Sequence, residues 1–130
     1  MNFIRQNKLS LLWAGCILLL TGLPGNYFPR VVSFWEWISP DKLVHLFMFM
    51  VLAFVMMFDR RKQYTGKNKR YVIILVLGFG VFYGALTEIL QYYVFVRRHG
   101  SIYDFYANTL GIVAGIGLFI LLRRKIIKLN

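Results

Sequence analysis

The stretch LVHLFMFMVLAFVMMF, Leu43 to Phe58, holds a single ionisable residue, His45, in an otherwise apolar run. Coiled as a helix it has no face that water would solvate. At 1.5 Å per residue it covers about 24 Å, most of a hydrocarbon layer of roughly 30 Å. Lipid is the solvent that suits it. Pro40 stands just ahead, where a first helical turn has no use for a backbone N–H. This reads as a membrane span over about residues 41–58.

Similar runs lie on either side. One covers about residues 9–24, stopped by Pro24-Gly25-Asn26, with an apolar core from Leu9 to Leu23. That core is about 22 Å long, so Asn7 and Lys8 must help it across by snorkelling. It imitates a signal peptide, but bulky Leu20 before Thr21 and Gly22 spoils a small-residue cleavage site, and a retained helix is expected. Two further spans are expected at about 71–95 and 102–122. Ser101 is placed to cap the last of them and Asp104 to sit in its first turn, at the positive end of the dipole. The fold class expected is therefore all-α, a bundle of four transmembrane helices.

Composition agrees. The chain has 130 residues, 58% hydrophobic, 18% aromatic and only 16% charged, against about 25% charged in soluble domains. A net charge of +11 would suit a nucleic-acid binder. The basic residues are instead short clusters flanking the apolar runs, which argues against nucleic acid. Arg5 and Lys8, then Arg60, Arg61, Lys62, Lys67, Lys69 and Arg70, then Arg123, Arg124, Lys125 and Lys128 fall on one side of a four-span model. They are twelve of the sixteen basic residues, and Asp59 is the one acid among them. The positive-inside rule puts that side, with both termini, in the cytoplasm. In the first outer loop Val31, Phe34, Trp35 and Ile38 recur at helical spacing, so a short interfacial helix is expected at about 30–38. Cys16 has no partner for a disulfide and reads as a small buried hydrophobe.

Function is to be sought in polar residues inside the spans. Gly80, Gly84, Glu88 and Gln91 are spaced four, four and three apart, and Asp104, Asn108, Gly111 and Gly115 four, three and four. Each set shares a helical face. Two helices packed along these faces would meet through glycines at one end and through hydrogen-bonding groups at the other. Asp41, Lys42 and His45 reach the same outer end from the second span, and Arg97 and Arg98 from the loop between the last two. Glu88 lies about 10 Å inside its helix end. A lone ionised carboxylate there would cost several kcal/mol, so it must face the interior, take up a proton or pair with a cation. The bland alternatives are a clamp at Glu88, a cap at Asp104 and interhelical glue at Gln91 and Asn108. The convergence of so many polar groups favours function, because gluing short helices needs far fewer charges.

The segments Asp41-Lys42…His45, Glu88…Gln91 and Arg98…Ser101…Asp104…Asn108…Gly111 follow the pattern D-K-x-x-H, E-x-x-Q, R-x-x-S-x-x-D-x-x-x-N-x-x-G. In this order and within these spans they resemble the VanZ-like family, and the resemblance makes residues 1–130 a single membrane domain. It implies a bacterial envelope protein; the family's namesake is associated with low-level resistance to the glycopeptide teicoplanin. It carries no assigned reaction. It does mark Asp41, Lys42, His45, Glu88, Gln91, Arg98, Ser101, Asp104, Asn108 and Gly111 as the functional face.

Three classes of function follow. The leading expectation is recognition of an amphiphilic or lipid-linked envelope component, through Asp41, Lys42, His45, Glu88, Gln91, Arg97, Arg98, Ser101, Asp104 and Asn108. The second is an enzyme acting on such a lipid, with His45 as acid or base and Glu88 or Asp104 holding it. The third is a small permease or a structural subunit, working as a homo-oligomer or with a membrane-protein partner. No cofactor motif is present, and His45 and His99 have no ligand spacing, so no metal is expected.

Overall fold

The computed structural model describes residues 3–23, 39–95 and 101–128, and every regular element among them is a helix. A short α1 (Phe3–Gln6) leads into α2 (Lys8–Gly22), followed by α3 (Pro40–Asp59), α4 (Asn68–Tyr93) and α5 (Ile102–Lys128). Three helices are long and apolar enough to cross a membrane: α3, α4 and the Ile102–Arg123 part of α5. The chain is a multi-pass membrane protein. α2 is apolar but has 15 residues, so it spans only about 22 Å. α5 runs six residues beyond the end expected at 122, and α4 starts three residues before 71. The expected interfacial helix at 30–38 and residue 24 lie outside the described residues.

α3 is the hub. It packs against α5 along most of its length and touches α2 and α4 as well. Phe49, Leu52, Ala53 and Met57 of α3 are fully buried, together with Ile17 of α2, Val76 of α4, and Ile112 and Phe119 of α5. The outward faces carry exposed leucine, isoleucine, phenylalanine and tyrosine, as lipid-facing surfaces do.

The glycine stripes set the helix spacing, and here the packing differs from expectation. Gly80 and Gly84 of α4 do face α5: a Cβ at Gly80 would press on Ile112, and one at Gly84 would lie 3.3 Å from the Asn108 side chain. Gly111 and Gly115 of α5 do not face α4. A Cβ at Gly111 would collide with the Leu46 carbonyl oxygen, and one at Gly115 with that of Met50, both backbone atoms of α3. The reason is angular. Successive residues turn about 100°, so Ile112 points to one side of Asn108 and Gly111 and Gly115 to the other. Asn108 itself sits between α3 and α4.

Polar bonds fasten the short α2 to its neighbours. Ser10, in its first turn, donates both its backbone N–H and its hydroxyl to one oxygen of Asp59, at 2.9 and 2.7 Å. That carboxylate satisfies donors which a helix start leaves without partners. Further along, Trp13 Nε1 donates to the Met48 carbonyl at 2.9 Å and the Tyr83 hydroxyl to the Ala14 carbonyl at 2.6 Å. In lipid such bonds have no competition from water.

Candidate functional site

Where the start of α3, the last turns of α4 and the start of α5 meet, seven polar side chains gather: Asp41, Lys42, His45, Glu88, Ser101, Asp104 and Asn108. Four of them are buried: His45, Glu88, Asp104 and Asn108. Each owes its place to helical register. His45 follows Asp41 by one turn on α3, Asn108 follows Asp104 by one turn on α5, and Glu88 follows Gly84 by one turn on α4. Gly84 lets α5 approach closely enough for Asn108 to reach both other helices.

Asn108 Nδ2 donates to Glu88 Oε1 at 3.1 Å, and Asn108 Oδ1 lies 3.0 Å from His45 Nδ1. With its amide nitrogen turned to the carboxylate, Asn108 offers the ring only an acceptor, so Nδ1 must be the donor. Glu88 Oε1 is also 3.5 Å from His45 Nδ1. The other oxygen, Oε2, accepts the backbone N–H of Ser101 at 3.1 Å. The carboxylate thus collects one donor from the cap of α5 and another about two turns further along it. The imidazole is held through Nδ1 by a relay running His45, Asn108, Glu88.

Ser101 caps α5 as expected: its hydroxyl accepts the Tyr103 backbone N–H at 3.2 Å. Asp104 occupies the first turn of α5 and is buried there. Lys42, one residue past exposed Asp41, lays its ammonium over the Tyr103 ring, 5.2 Å from the centroid, a cation–π contact joining α3 to α5. Gln91 departs from expectation. It donates to the Thr21 carbonyl of α2 at 3.4 Å and does not join Asp104 and Asn108. Three residues on a helix turn about 300°, which swings Gln91 some 60° from Glu88, toward α2. Arg97 and Arg98 lie outside the described residues.

Two features go beyond the expectations from sequence. One is a set of metal-ligating types: a ring nitrogen of His45 and one oxygen each of Asp41 and Asp104 all lie within 4.8 Å of one another. The histidine spacing gave no reason to expect it, because its members come from two helices. The other is an open, mostly apolar groove of about 370 Å³ between α4 and α5, lined by aromatic and aliphatic side chains such as Ile89, Tyr92, Tyr93 and Phe105 together with Glu88 and Ser101. The only signal for it was the aromatic content of those helix ends.

A family model described as VanZ/LLP1 matches residues 5–123. The chain belongs to the VanZ/LLP1 family. No curated protein and no solved structure matches it. The match spans all four long or apolar helices and every polar residue of this site, so for this VanZ/LLP1 protein the buried His–Glu/Asp cluster is the place to look for function.

Proposed function

We propose that this protein is a membrane enzyme acting on a lipid-linked envelope substrate, with His45 as the proton-transferring group. The observation that carries the reading is the buried His45–Asn108–Glu88 relay. A general acid or base needs one ring nitrogen presented to substrate and the other fixed, and the relay fixes Nδ1 as a donor. Glu88 anchors the relay through Asn108 and favours a positive ring as it forms. Asp104 and Asp41 flank the imidazole and Lys42 adds a positive group at the rim for an anionic headgroup. The positive-inside charge pattern would put this end outside and both termini in the cytoplasm.

The second reading is recognition of an amphiphilic envelope component without turnover. The apolar groove beside Glu88 favours it, because such a slot suits an acyl or isoprenoid chain.

The test is incubation of purified protein with total envelope lipid from a Gram-positive bacterium, followed by mass spectrometry. A new lipid species formed by wild type and absent with His45→Ala supports the enzyme. A lipid retained by wild type, unchanged in mass and lost with His45→Ala, overturns it in favour of recognition.

A further inference from the structure

We propose that Arg60, with Arg61, Lys62 and Arg123 beside it, binds the phosphate of an anionic phospholipid headgroup. The site lies at the end of the bundle opposite the His45 cluster. It goes beyond the enzyme reading, and neither depends on the other. Arg60 follows the last residue of α3. Among the described residues its Nε is the one buried side-chain nitrogen or oxygen without a hydrogen-bond partner. A buried donor on a charged group is costly to leave unmet. The guanidinium is tethered through Nη1 to Gln63 Oε1 at 3.3 Å, long for an N–H donor, and Gln63 is exposed. Turning that tether aside frees the planar fork of Nε and Nη, which takes two phosphate oxygens at once.

The surroundings are a packed structure and not a loose run of charge. Tyr64 is 4% exposed and sets its ring edge-on against Phe119 of α5, with centroids 5.6 Å apart. The Gln63 and Tyr64 backbone N–H groups both donate to the Arg60 carbonyl, at 2.9 and 3.0 Å. Arg61 donates Nη1 to the Phe58 carbonyl at 3.0 Å and lies over the Phe58 ring, 4.3 Å from its centroid. A guanidinium is thereby pinned where the apolar run of α3 ends, the depth at which headgroups begin. Arg123 follows Phe119 by one turn of α5 and stands beside the same contact.

Charge decides the occupant. Asp59 is the one acid in residues 46–87, none follows Asp104, and Asp59 Oδ2 already takes both bonds from Ser10. Arg60, Arg61, Lys62 and Arg123 form no ion pair among the described residues. Basic groups left unneutralised at the end of membrane helices select a net-negative lipid over a zwitterionic one.

Delipidated full-length protein in an uncharged detergent would be titrated with phosphatidylglycerol and with phosphatidylcholine of the same chains. Native mass spectrometry reads the bound lipid and melting curves read the fold. Wild type is expected to prefer phosphatidylglycerol. Arg60→Gln should weaken that binding by more than about tenfold, whereas exposed Lys67→Gln should cost no more than the roughly fivefold of a nearby charge. Should Arg60→Gln not fold, Arg60→Lys keeps the charge without the fork and should also bind less than wild type. Equal binding of the two lipids by folded wild type, a loss in Arg60→Gln no larger than in Lys67→Gln, or undiminished binding in Arg60→Lys each overturns the site. Displacement of the lipid by millimolar inorganic phosphate, or by a short single-stranded DNA, would give the surface to a soluble ligand and overturn it as well.

Discussion

Glu88 concentrates the chemistry of a whole helix end in one side chain. Both of its oxygens accept from fixed donors, Asn108 Nδ2 and the Ser101 backbone N–H. An amide in its place can satisfy one donor but sets its own NH2 against the other, a cost of about 1–3 kcal/mol for a buried donor left unmatched. Losing the burden of a buried charge offsets part of that. We therefore expect Glu88→Gln to melt within a few degrees of wild type yet to lose lipid turnover. His45→Ala should show the same defect, and the double variant should be little worse than either single, because members of one working unit are non-additive. Wild-type turnover in Glu88→Gln would return the residue to a structural clamp.

The helices differ in what their interfaces tolerate. α5 lies on α3 with backbone against backbone at Gly111 and Gly115, where an added methyl meets a carbonyl oxygen that cannot rotate away. Gly78 of α4 has nothing within 4 Å of an added Cβ. Gly111→Ala should therefore cost at least about 1–3 kcal/mol, the usual range for overpacking. Gly78→Ala should be neutral or slightly stabilising, since alanine is the better helix former. Equal folded yields and melting temperatures for the two would refute this packing. α2 depends on a different device, the Asp59 carboxylate that receives two bonds from Ser10. Asp59→Ala should lower stability by about 1.5–3 kcal/mol, the range for hydrogen bonds to a charged group, read from detergent denaturation. Ser10→Ala keeps the backbone N–H and should cost less.

For the molecule as a whole, the charge pattern predicts which way it sits in the bilayer. Basic residues crowd the Asp59–Arg70 loop and both chain ends, while the candidate site lies at the other ends of α3, α4 and α5. With Cys16 first changed to alanine, a membrane-impermeant thiol reagent should label Arg30→Cys and His99→Cys in intact cells and leave Lys67→Cys unlabelled. The opposite pattern would place the candidate site in the cytoplasm and remove envelope components as its substrates.

Sequence alone determined that the chain is helical and multi-pass, because uninterrupted apolar runs of span length have no stable place in water. It also brought His45, Glu88, Asp104 and Asn108 to one helix end, though it counted Gln91 with them, and it placed the Ser101 cap. It could not say which neighbour each face meets. A stripe of small residues permits close approach by any helix, so only the packed bundle turned Gly111 and Gly115 toward α3 and Gln91 toward α2. The relay through Asn108 and the meeting of Asp41 and His45 with Asp104 depend on rotations of tens of degrees between helices. Periodicity along one helix carries no information about such angles.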